Sequence, residues 1–301
     1  MDFNSKIRIL DGGLGSTMLK SIAEPTDEIK TFPELLTLDR PSLLYDVHTE
    51  YIKAGADIIS TNTFSANEIS LRQIDREDIV IELNHKSVEI ARKAIEASSR
   101  NDILIAGSIG PSILSLTRDS SEQAKERLSQ SYRRQIKTLC DAGADVLLFE
   151  TFYDTLNAEC AMEAVFDIIQ KLEKKIGVIL SFHVTKEGSS AMGQSASEIK
   201  NIATKYPIDA FGLNCINGSE HLQEIVSTFT DLPRAIMVAP NSGVPDKDGV
   251  YPESADKTAE AIKQLMAKGM VNIVGGCCGT TPEYIHLISE IAKVHTSRKY
   301  N

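Results

Sequence analysis

Short apolar runs alternate with longer amphipathic stretches along the whole chain. The apolar runs are rich in valine, isoleucine and leucine, which is typical of parallel strands that are buried on both faces. The amphipathic stretches repeat their apolar side chains with the period of a helix that packs one face on a core. The predicted strands cover residues 7–11, 57–61, 103–108, 145–150, 177–183, 210–215, 235–239 and 271–275. The predicted helices cover residues 42–53, 77–98, 123–141, 156–174, 196–205, 220–228, 255–268 and 282–294.

Eight such strand–helix pairs in a chain of 301 residues predict an α/β fold, a single (β/α)8 TIM barrel that spans residues 1–301. No linker rich in proline or serine divides the chain. Two helix-to-strand joints share the sequence Ala-Gly-Ala-Asp, in which Gly55 and Gly143 suit the left-handed residue that ends a helix. Alternation alone is also compatible with a doubly wound open sheet. That fold lacks its usual signature here, because the glycines after Asp11 do not complete a dinucleotide-binding motif and no P-loop motif occurs.

Composition narrows the class of protein. A hydrophobic content of 42% is enough for a large buried core. The net charge of -10 and the pI near 5.2 argue against a surface that follows nucleic-acid phosphates. The first residues lack the apolar segment of a secretion signal, and no apolar stretch reaches the length of a membrane span. We therefore expect a soluble cytoplasmic protein that binds neither nucleic acid nor membranes and whose cysteines are reduced.

Polar residues, glycines and cysteines lie where the predicted strands end. The active site of a TIM barrel lies at the carboxyl ends of its strands, so these residues are expected to share one site. They are Asp11, Gly12, Gly13, Asn62, Ser108, Glu150, His183, Asn214, Cys215, Asn241, Cys277 and Cys278. The sixth and eighth strands end on one side of the barrel, with Asn241 between them, so one metal ion can bridge them.

Three of the five cysteines are at these strand ends, Cys215 alone and Cys277 and Cys278 as neighbours. A disulfide between adjacent cysteines requires a strained ring, and an odd number of cysteines leaves one unpaired. Zinc accepts thiolates in a tetrahedral shell, and three protein ligands leave one position for water or substrate. The trio therefore predicts an open zinc site, whereas Cys140 and Cys160, each within a helix, are expected to be buried apolar residues. Two alternatives stay open for the trio: small buried side chains, or a thiol-redox pair that binds no metal.

Glu150 ends a buried strand, where an ionised carboxylate requires a partner. With Asp11 it forms a candidate pair for a substrate ammonium group, and backbone N–H groups of Gly12 and Gly13 are candidates for a carboxylate. The alternative is that both carboxylates cap backbone amides at the barrel rim. His183 is expected to be a hydrogen-bonded rim residue. No HExxH or GxSxG motif indicates a histidine-based metal site or a serine nucleophile.

A long segment, residues 16–40, follows the first strand. Because functional loops of a TIM barrel concentrate at the carboxyl ends of its strands, we expect this segment to form a lid over the site.

Seven segments resemble the homocysteine S-methyltransferase family, which includes the homocysteine-binding module of cobalamin-dependent methionine synthase and betaine-homocysteine methyltransferase. The resemblance covers nearly the whole chain, and its most specific part is Gly-Gly-Cys-Cys together with an upstream Asn-Cys. The segments are Asp11-Gly-Gly-Leu-Gly-Ser16, Ala54-Gly-Ala-Asp-Ile-Ile-Ser-Thr-Asn-Thr-Phe64, Gly107-Ser-Ile-Gly-Pro111, Asp145-Val-Leu-Leu-Phe-Glu-Thr151, Gly212-Leu-Asn-Cys215, Pro240-Asn-Ser-Gly-Val-Pro245 and Gly275-Gly-Cys-Cys-Gly-Thr-Thr-Pro282.

The resemblance implies an enzyme that moves a methyl group to the thiolate of homocysteine and so forms methionine. It implies one zinc ion per chain, bound by Cys215, Cys277 and Cys278, with the homocysteine thiol as the fourth ligand. Asp11 and Glu150 would contact the amino group of homocysteine. The expected substrate contacts are Asp11, Gly12, Gly13, Asn62, Glu150 and Asn241, of which Asn241 is expected near the fourth metal position in the empty enzyme.

The methyl donor is left open by the sequence. The Gly-Gly-Cys-Cys-Gly and Pro-Asn-Ser-Gly-Val-Pro segments are closer to the methionine synthase module, which favours methylcobalamin or methyltetrahydrofolate, with the corrinoid or folate on a separate protein. S-methylmethionine and betaine are the other candidate donors. A second function is a zinc- and homocysteine-binding subunit that is inactive without a separate corrinoid protein partner. The oligomeric state is also left open.

Overall fold

Eight parallel strands form one sheet that closes on itself. The structure, a computed structural model, describes residues 3–247 and 249–300. The strands are β1 (Arg8–Ile9), β2 (Ile58–Ser60), β3 (Leu104–Ile109), β4 (Val146–Phe152), β5 (Gly177–Phe182), β6 (Ala210–Asn214), β7 (Ala235–Ala239) and β8 (Ile273–Val274). Their order is β1-β8-β7-β6-β5-β4-β3-β2, and Leu10 pairs in parallel with Ile58 at the remaining edge. This closure confirms the predicted (β/α)8 barrel and excludes the open sheet, whose edge strands do not meet.

Helices surround the barrel, and each helix that the sequence pattern predicts is present. They are α1 (Leu14–Lys20), α2 (Asp27–Thr31), α3 (Leu36–Asp39), α4 (Pro41–Ala54), α5 (Glu68–Leu71), α6 (Val80–Ala97), α7 (Glu122–Ala142), α8 (Thr155–Ile169), α9 (Ala196–Lys205), α10 (Leu222–Ser227), α11 (Ala255–Ala267) and α12 (Pro282–Ala292). Short 3-10 helices cover Pro33–Leu35, Arg72–Ile74 and Glu77–Ile79. Helix α8 ends before its predicted limit of residue 174, because residues 170–175 are exposed and bury no apolar face.

The barrel interior changes from apolar to polar along the strands. One apolar cluster fills the interior with small and branched side chains, among them Leu10, Ile58, Ala106, Leu148, Ile179, Ala210, Met237 and Ile273. The buried polar side chains at the carboxyl ends of the strands are Asp11, Ser60, Ser108, Ser181 and Asn214. Buried polar groups must be hydrogen-bonded to be tolerated, so this end of the barrel is built for polar contacts.

A repeated hydrogen bond joins the strands in pairs at their amino ends. The residue before each even-numbered strand accepts the backbone N–H of a residue in the strand before it. The pairs, acceptor first, are Asp57 with Ile9 (3.1 Å), Asp145 with Ile105 (3.0 Å), Asp209 with Val178 (2.9 Å) and Asn272 with Ile236 (2.9 Å). The predicted glycine caps precede two of these acids: φ is +106° at Gly55 and +100° at Gly143. The shared Ala-Gly-Ala-Asp sequence therefore ends a helix and ties two strands together.

Within residues 3–247 and 249–300, no helix has both the length and the apolar character needed to cross a membrane.

Candidate metal centre and substrate pocket

A cavity of about 640 Å³ opens at the carboxyl ends of the strands. The predicted site residues that line it are Asp11, Gly12, Gly13, Asn62, Glu150, Cys215, Cys277 and Cys278. Asn241 lies behind the cysteines, and 7% of its surface is exposed. The cavity therefore unites residues that five different strands carry.

The thiol cluster consists of Cys215, Cys277 and Cys278, whose Sγ atoms all lie within 4.8 Å of one another. No other group of three His, Cys, Asp or Glu side chains in the described ranges converges closely enough to hold one metal ion. Two thiolates on a tetrahedral zinc ion are about 3.8 Å apart, because each Zn–S bond is about 2.3 Å. The Sγ atoms of Cys215 and Cys277 are 2.7 Å apart, so zinc binding requires these side chains to rotate apart. Three thiols beside an open cavity are a donor set that fits zinc.

Asn241 joins the two loops that carry the thiol cluster. Its Oδ1 atom accepts the Cys278 N–H at 3.1 Å, and its Nδ2 group donates to the Cys215 carbonyl at 3.4 Å. The Asn241 amide is thus engaged within the protein, between the ends of β6 and β8 as its position in the sequence predicts. His183 Nδ1 lies 3.0 Å from the same Cys215 carbonyl, so His183 is a hydrogen-bonded rim residue, and it is not part of the thiol cluster.

The three thiols share their protons when no cation is bound. Hydrogen bonds from Cys215 and Cys277 lower the pKa of Cys278 to about 3. Hydrogen bonds to Cys215 and Cys278, together with burial, raise the pKa of Cys277 well above its usual range. One thiolate is therefore stable at neutral pH, and a bound metal ion would take the place of the remaining protons.

Asp11 is buried and Glu150 is half-buried in the cavity wall, and both accept hydrogen bonds from neutral donors. Asp11 accepts the Ser60 N–H at 2.7 Å and the Ser60 hydroxyl at 2.9 Å. Glu150 accepts the Ser108 hydroxyl at 2.5 Å and the Asn214 amide at 3.3 Å.

Burial makes both carboxylates costly to ionise. It raises the pKa of Asp11 from 3.8 to about 7 and that of Glu150 from 4.5 to about 7, and the negative charge of Asp11 adds to the shift at Glu150. Asp11 also fills the alternative role of capping a backbone amide, because it accepts the Ser60 N–H. Its two hydrogen bonds with Ser60 do not offset the cost of burying its charge. An ammonium group bound beside the two carboxylates would lower both pKa values.

Gly12 and Gly13 bring the loop after β1 against the loop after β8. A Cβ atom at Gly13 would lie 2.5 Å from the Cys277 carbonyl oxygen, and one at Gly12 would lie 2.8 Å from Thr280 Oγ1. The Gly13 N–H donates to Thr280 Oγ1 at 3.0 Å. The glycines are thus needed for close approach, and a substrate carboxylate would compete with Thr280 for the Gly13 amide.

The segment over residues 16–40 covers part of the cavity, but its two halves differ. Residues 20–31 bury few side chains, and α2 buries none. Residues 32–37 are packed: Asn62 Nδ2 donates to the Pro33 carbonyl at 3.0 Å and to Thr37 Oγ1 at 3.1 Å. Glu34 accepts the Ser65 N–H at 2.7 Å. Asn62 therefore anchors the inner half of the segment, and its amide nitrogen is engaged there.

Three residues of the site were missed by sequence reasoning: Glu34, Thr151 and Tyr251. Glu34 is 2% exposed, and burial raises its pKa, but it lies in a segment without helical or strand periodicity. Thr151 follows Glu150 directly, and its importance depends on a left-handed backbone that the sequence does not reveal. Tyr251 lies in a long loop after β7, where the one available signal is its position after a strand end.

The similarity to known proteins extends over nearly the whole chain. A family model described as homocysteine S-methyltransferase matches residues 8–292. The metallated form of the homocysteine methyltransferase MmuM from Escherichia coli is 25% identical with a TM-score of 0.78, over 95% of this chain and 96% of that chain. The apo form of the same enzyme is 25% identical, with a TM-score of 0.72 over the same shares.

A B12-independent methionine synthase from Shewanella sp. W3-18-1, in complex with selenomethionine, is a more distant match. It is 16% identical with a TM-score of 0.55, over 96% of this chain and 98% of that chain. At this identity the likeness shows a shared fold alone.

Proposed function

Since this chain belongs to the homocysteine S-methyltransferase family, we propose that it methylates homocysteine at a zinc ion bound by Cys215, Cys277 and Cys278. Membership of the family makes the chain a methyltransferase with homocysteine as the methyl acceptor. The zinc ion, the residue roles and the donor are our proposals. The observation that carries them is the convergence of three thiols and the carboxylates of Asp11 and Glu150 in one cavity.

In this proposal the pocket residues bind three groups of homocysteine: its ammonium group, its carboxylate and its thiol. We assign the ammonium group to Asp11 and Glu150, because these carboxylates line the cavity and their hydrogen-bond partners are neutral. The carboxylate is assigned to the backbone amides at Gly12 and Gly13, because both glycines line the cavity and carry no charged side chain. The thiol then points to the open side of the thiol cluster. Asn62 and Asn241 hold the surrounding loops in place.

A bound zinc ion would supply the chemistry that a free thiol lacks at neutral pH, namely conversion of the substrate thiol to a thiolate nucleophile. The protein's part is to orient that sulfur. Fixing the ammonium and carboxylate groups at one end of the cavity leaves the side chain of homocysteine a single direction, toward the cysteines. The remaining space of the cavity is left for the methyl donor.

The proposal has two forms, which differ in whether the methyl donor is a free small molecule or is carried by a separate protein. The segments around Cys277 and Asn241 favour a donor linked to a corrinoid or folate, carried by a separate protein. The chain nevertheless matches 96% of the E. coli homocysteine methyltransferase, which supports testing free donors alongside. The alternative function is a zinc- and homocysteine-binding subunit that needs a corrinoid protein for turnover.

The test is a methyl-transfer assay on purified protein of known zinc content. Homocysteine is offered with S-methylmethionine, betaine, methylcobalamin, and methyltetrahydrofolate plus a corrinoid protein, in turn. Methionine formation with one donor and about one zinc per chain supports the proposal and identifies the donor. Zinc without turnover from any free donor favours the partner-dependent subunit.

Variants separate the metal site from general damage. Cys277→Ala and Cys215→Ala are expected to lose zinc and turnover together, whereas Cys140→Ala, which changes a cysteine on α7 outside the cavity, is expected to keep both. Full activity of metal-free wild-type protein would contradict the proposal.

A further inference from the structure

Two sulfurs of the thiol cluster accept a hydrogen bond from a side chain that is not a cysteine. The pairs are Thr151 Oγ1 with Cys215 Sγ (3.7 Å) and Asn214 Nδ2 with Cys277 Sγ (3.8 Å). The third sulfur belongs to Cys278, which lines the cavity together with Tyr251. The polar neighbours of the sulfurs therefore come from three separate places, the ends of β4 and β6 and the loop after β7.

Thr151 adopts a rare backbone conformation to reach its position. Its φ is +62°, in the left-handed region that a β-branched residue seldom occupies. Its N–H donates to Asn214 Oδ1 at 2.8 Å, and the Asn214 amide donates to Thr151 Oγ1 at 2.8 Å. Because the Thr151 oxygen already accepts a hydrogen bond, its own hydrogen is available for the Cys215 sulfur. Strain of this kind persists where the surroundings enforce it, and here it aims a hydroxyl at a sulfur.

The orientation of the Asn214 amide is fixed by its neighbours. Its Oδ1 atom accepts from the Thr151 N–H and from the Ser181 hydroxyl, the latter at 2.7 Å, so the Nδ2 group must face the site. One Nδ2 hydrogen serves Thr151. The other lies between Glu150 Oε2 at 3.3 Å and Cys277 Sγ at 3.8 Å.

Tyr251 is held against the loop that carries Cys278. Its ring packs on Gly279 so closely that a Cβ atom there would lie 2.3 Å from the Tyr251 Cγ atom. Gly279 has a φ of +81° and leaves room for the ring. The ring is thereby fixed beside the residue that follows Cys278, and both Tyr251 and Cys278 line the cavity.

If homocysteine binds beside the three cysteines, four sulfur atoms can compete for the methyl group of the donor. If a cysteine sulfur attacked the donor, a bond would form between that sulfur and the methyl carbon. The bond from the methyl carbon to the leaving group would break, and the leaving group would depart with the electron pair. The product, S-methylcysteine, is a neutral thioether in place of the thiolate that zinc prefers. Self-methylation would therefore destroy the metal site.

We infer that Thr151, Asn214 and Tyr251 protect the three cysteines from methylation by drawing electron density from their sulfurs, so that the substrate sulfur is the one that reacts. This inference rests on the proposed function. A hydrogen bond to a thiolate occupies a lone pair and lowers the reactivity of that sulfur toward a methyl group. A substrate sulfur without such a donor would keep its reactivity. The three side chains act through the cysteines and are positioning residues.

The test uses the full chain and two single variants, Thr151→Val and Tyr251→Phe, each of which removes one hydroxyl donor. Tyr153→Phe is the matched control, because the Tyr153 hydroxyl donates to the Ser112 carbonyl at 3.3 Å and not to a sulfur. Thr151→Ser restores the hydroxyl. Each protein is loaded with cobalt(II), and the energy of the sulfur-to-cobalt charge-transfer band is measured. Zinc-loaded samples are treated with methyl iodide, and methylation of each cysteine is followed by peptide mass spectrometry.

We expect the charge-transfer band of Thr151→Val and Tyr251→Phe to move to lower energy, because the thiolate lone pairs are no longer stabilised. Methylation should become about tenfold faster at Cys215 in Thr151→Val and at Cys278 in Tyr251→Phe, in keeping with loss of one hydrogen bond to a charged group. The control and Thr151→Ser should resemble wild type.

Unchanged bands and unchanged methylation rates in both variants would overturn the inference. If Thr151→Val does not fold, Tyr251→Phe alone decides. A wild-type protein without any sulfur-to-cobalt band would instead refute the metal site, and with it the proposed function.

Discussion

Asp11, which is buried, and Glu150, which is half-buried, accept hydrogen bonds from Ser60, Ser108 and Asn214, all of them neutral. Ionisation of the two carboxylates therefore lowers the stability of the folded protein when no cation is bound beside them. A group whose pKa is raised by folding contributes stability at pH values below its unfolded pKa and loses that contribution as the pH rises through its folded pKa. For these two acids the loss falls between about pH 4 and pH 7.

Glu150→Gln should reverse the effect of this burial on stability. Glutamine can keep both hydrogen bonds, since the Ser108 hydroxyl can accept as well as donate and the Asn214 amide can donate to the new carbonyl oxygen. We expect metal-free Glu150→Gln, kept reduced, to be more stable than wild type at pH 8, by up to about 3 kcal/mol for a pKa shift from 4.5 to about 7. Urea unfolding at pH 4.5 and pH 8 measures this difference, which should disappear at the lower pH.

The same variant should bind homocysteine poorly. Removal of a charged partner of the ammonium group costs about 1.5–3 kcal/mol, so KM for homocysteine should rise roughly 10- to 150-fold. Glu96→Gln, which changes an exposed glutamate on α6, is the control and should alter neither property. A Glu150→Gln protein with unchanged KM would show that Glu150 does not hold the ammonium group.

The predictable part of the site consists of residues whose chemistry is visible in their type and position. A thiol or carboxylate at the end of a buried strand indicates a ligand-binding residue. Four residues show this signal: Cys215, Cys277, Cys278 and Glu150. Thr151 and Tyr251 carry no such signal. The role of Thr151 depends on a φ of +62° and a bond to Asn214, both of which arise only when β4 and β6 are assembled.

The strands and long helices could be read from the sequence because each buries an apolar face of regular period. Short helices α1 and α2 could not, since they lie over the cavity and pack few side chains. The repeated Ala-Gly-Ala-Asp sequence predicts a helix cap, which is half of the role of this joint. Its acid also holds the neighbouring strand, and Asn272 does the same without the motif.

Asp145→Ala should destabilise the barrel more than Asp145→Asn. Alanine leaves the buried Ile105 N–H of β3 without its acceptor, at a cost of about 1–3 kcal/mol. Asparagine keeps an oxygen in place, as Asn272 does for Ile236. It loses the ion pair with Lys174, a half-exposed contact worth no more than about 1 kcal/mol. The free energy of unfolding in urea decides between them, and equal losses in both variants would assign the stability to the ion pair.

The lid should close in its outer half only. Residues 20–31 are exposed, whereas residues 32–37 are packed and anchored by Asn62. We expect homocysteine to slow amide hydrogen exchange in residues 20–31 and to leave residues 32–37 unchanged. Exchange measured by mass spectrometry with and without homocysteine tests this, with the Cys277→Ala protein as the control that lacks the proposed thiol-binding site. Equal exchange in residues 20–31 under both conditions would rule out a lid.

In the whole barrel, the seam between β1 and β8 lies beside the proposed metal site. Strands β1 and β8 have two residues each, so the sheet contributes few hydrogen bonds there. Loop contacts at the carboxyl end add to them: the Gly276 N–H donates to the Asp11 carbonyl and the Gly13 N–H to Thr280 Oγ1, both at 3.0 Å. A metal ion bound by Cys215 after β6 and Cys277 after β8 would also hold the end of β8, on the side away from β1.

Zinc should therefore stabilise the entire fold and not the loops alone. A ligand that binds only the folded state adds about 4 kcal/mol at a free concentration 1,000 times its Kd, which should appear as a higher midpoint of thermal unfolding. The protection should concentrate at the seam, so amide exchange should slow most in residues 210–216 and 271–282. Cys277→Ser, with a smaller and harder ligand atom, should show neither effect, and Cys140→Ser should show both. A rise in the midpoint without slower exchange at the seam would mean that zinc acts elsewhere on the chain.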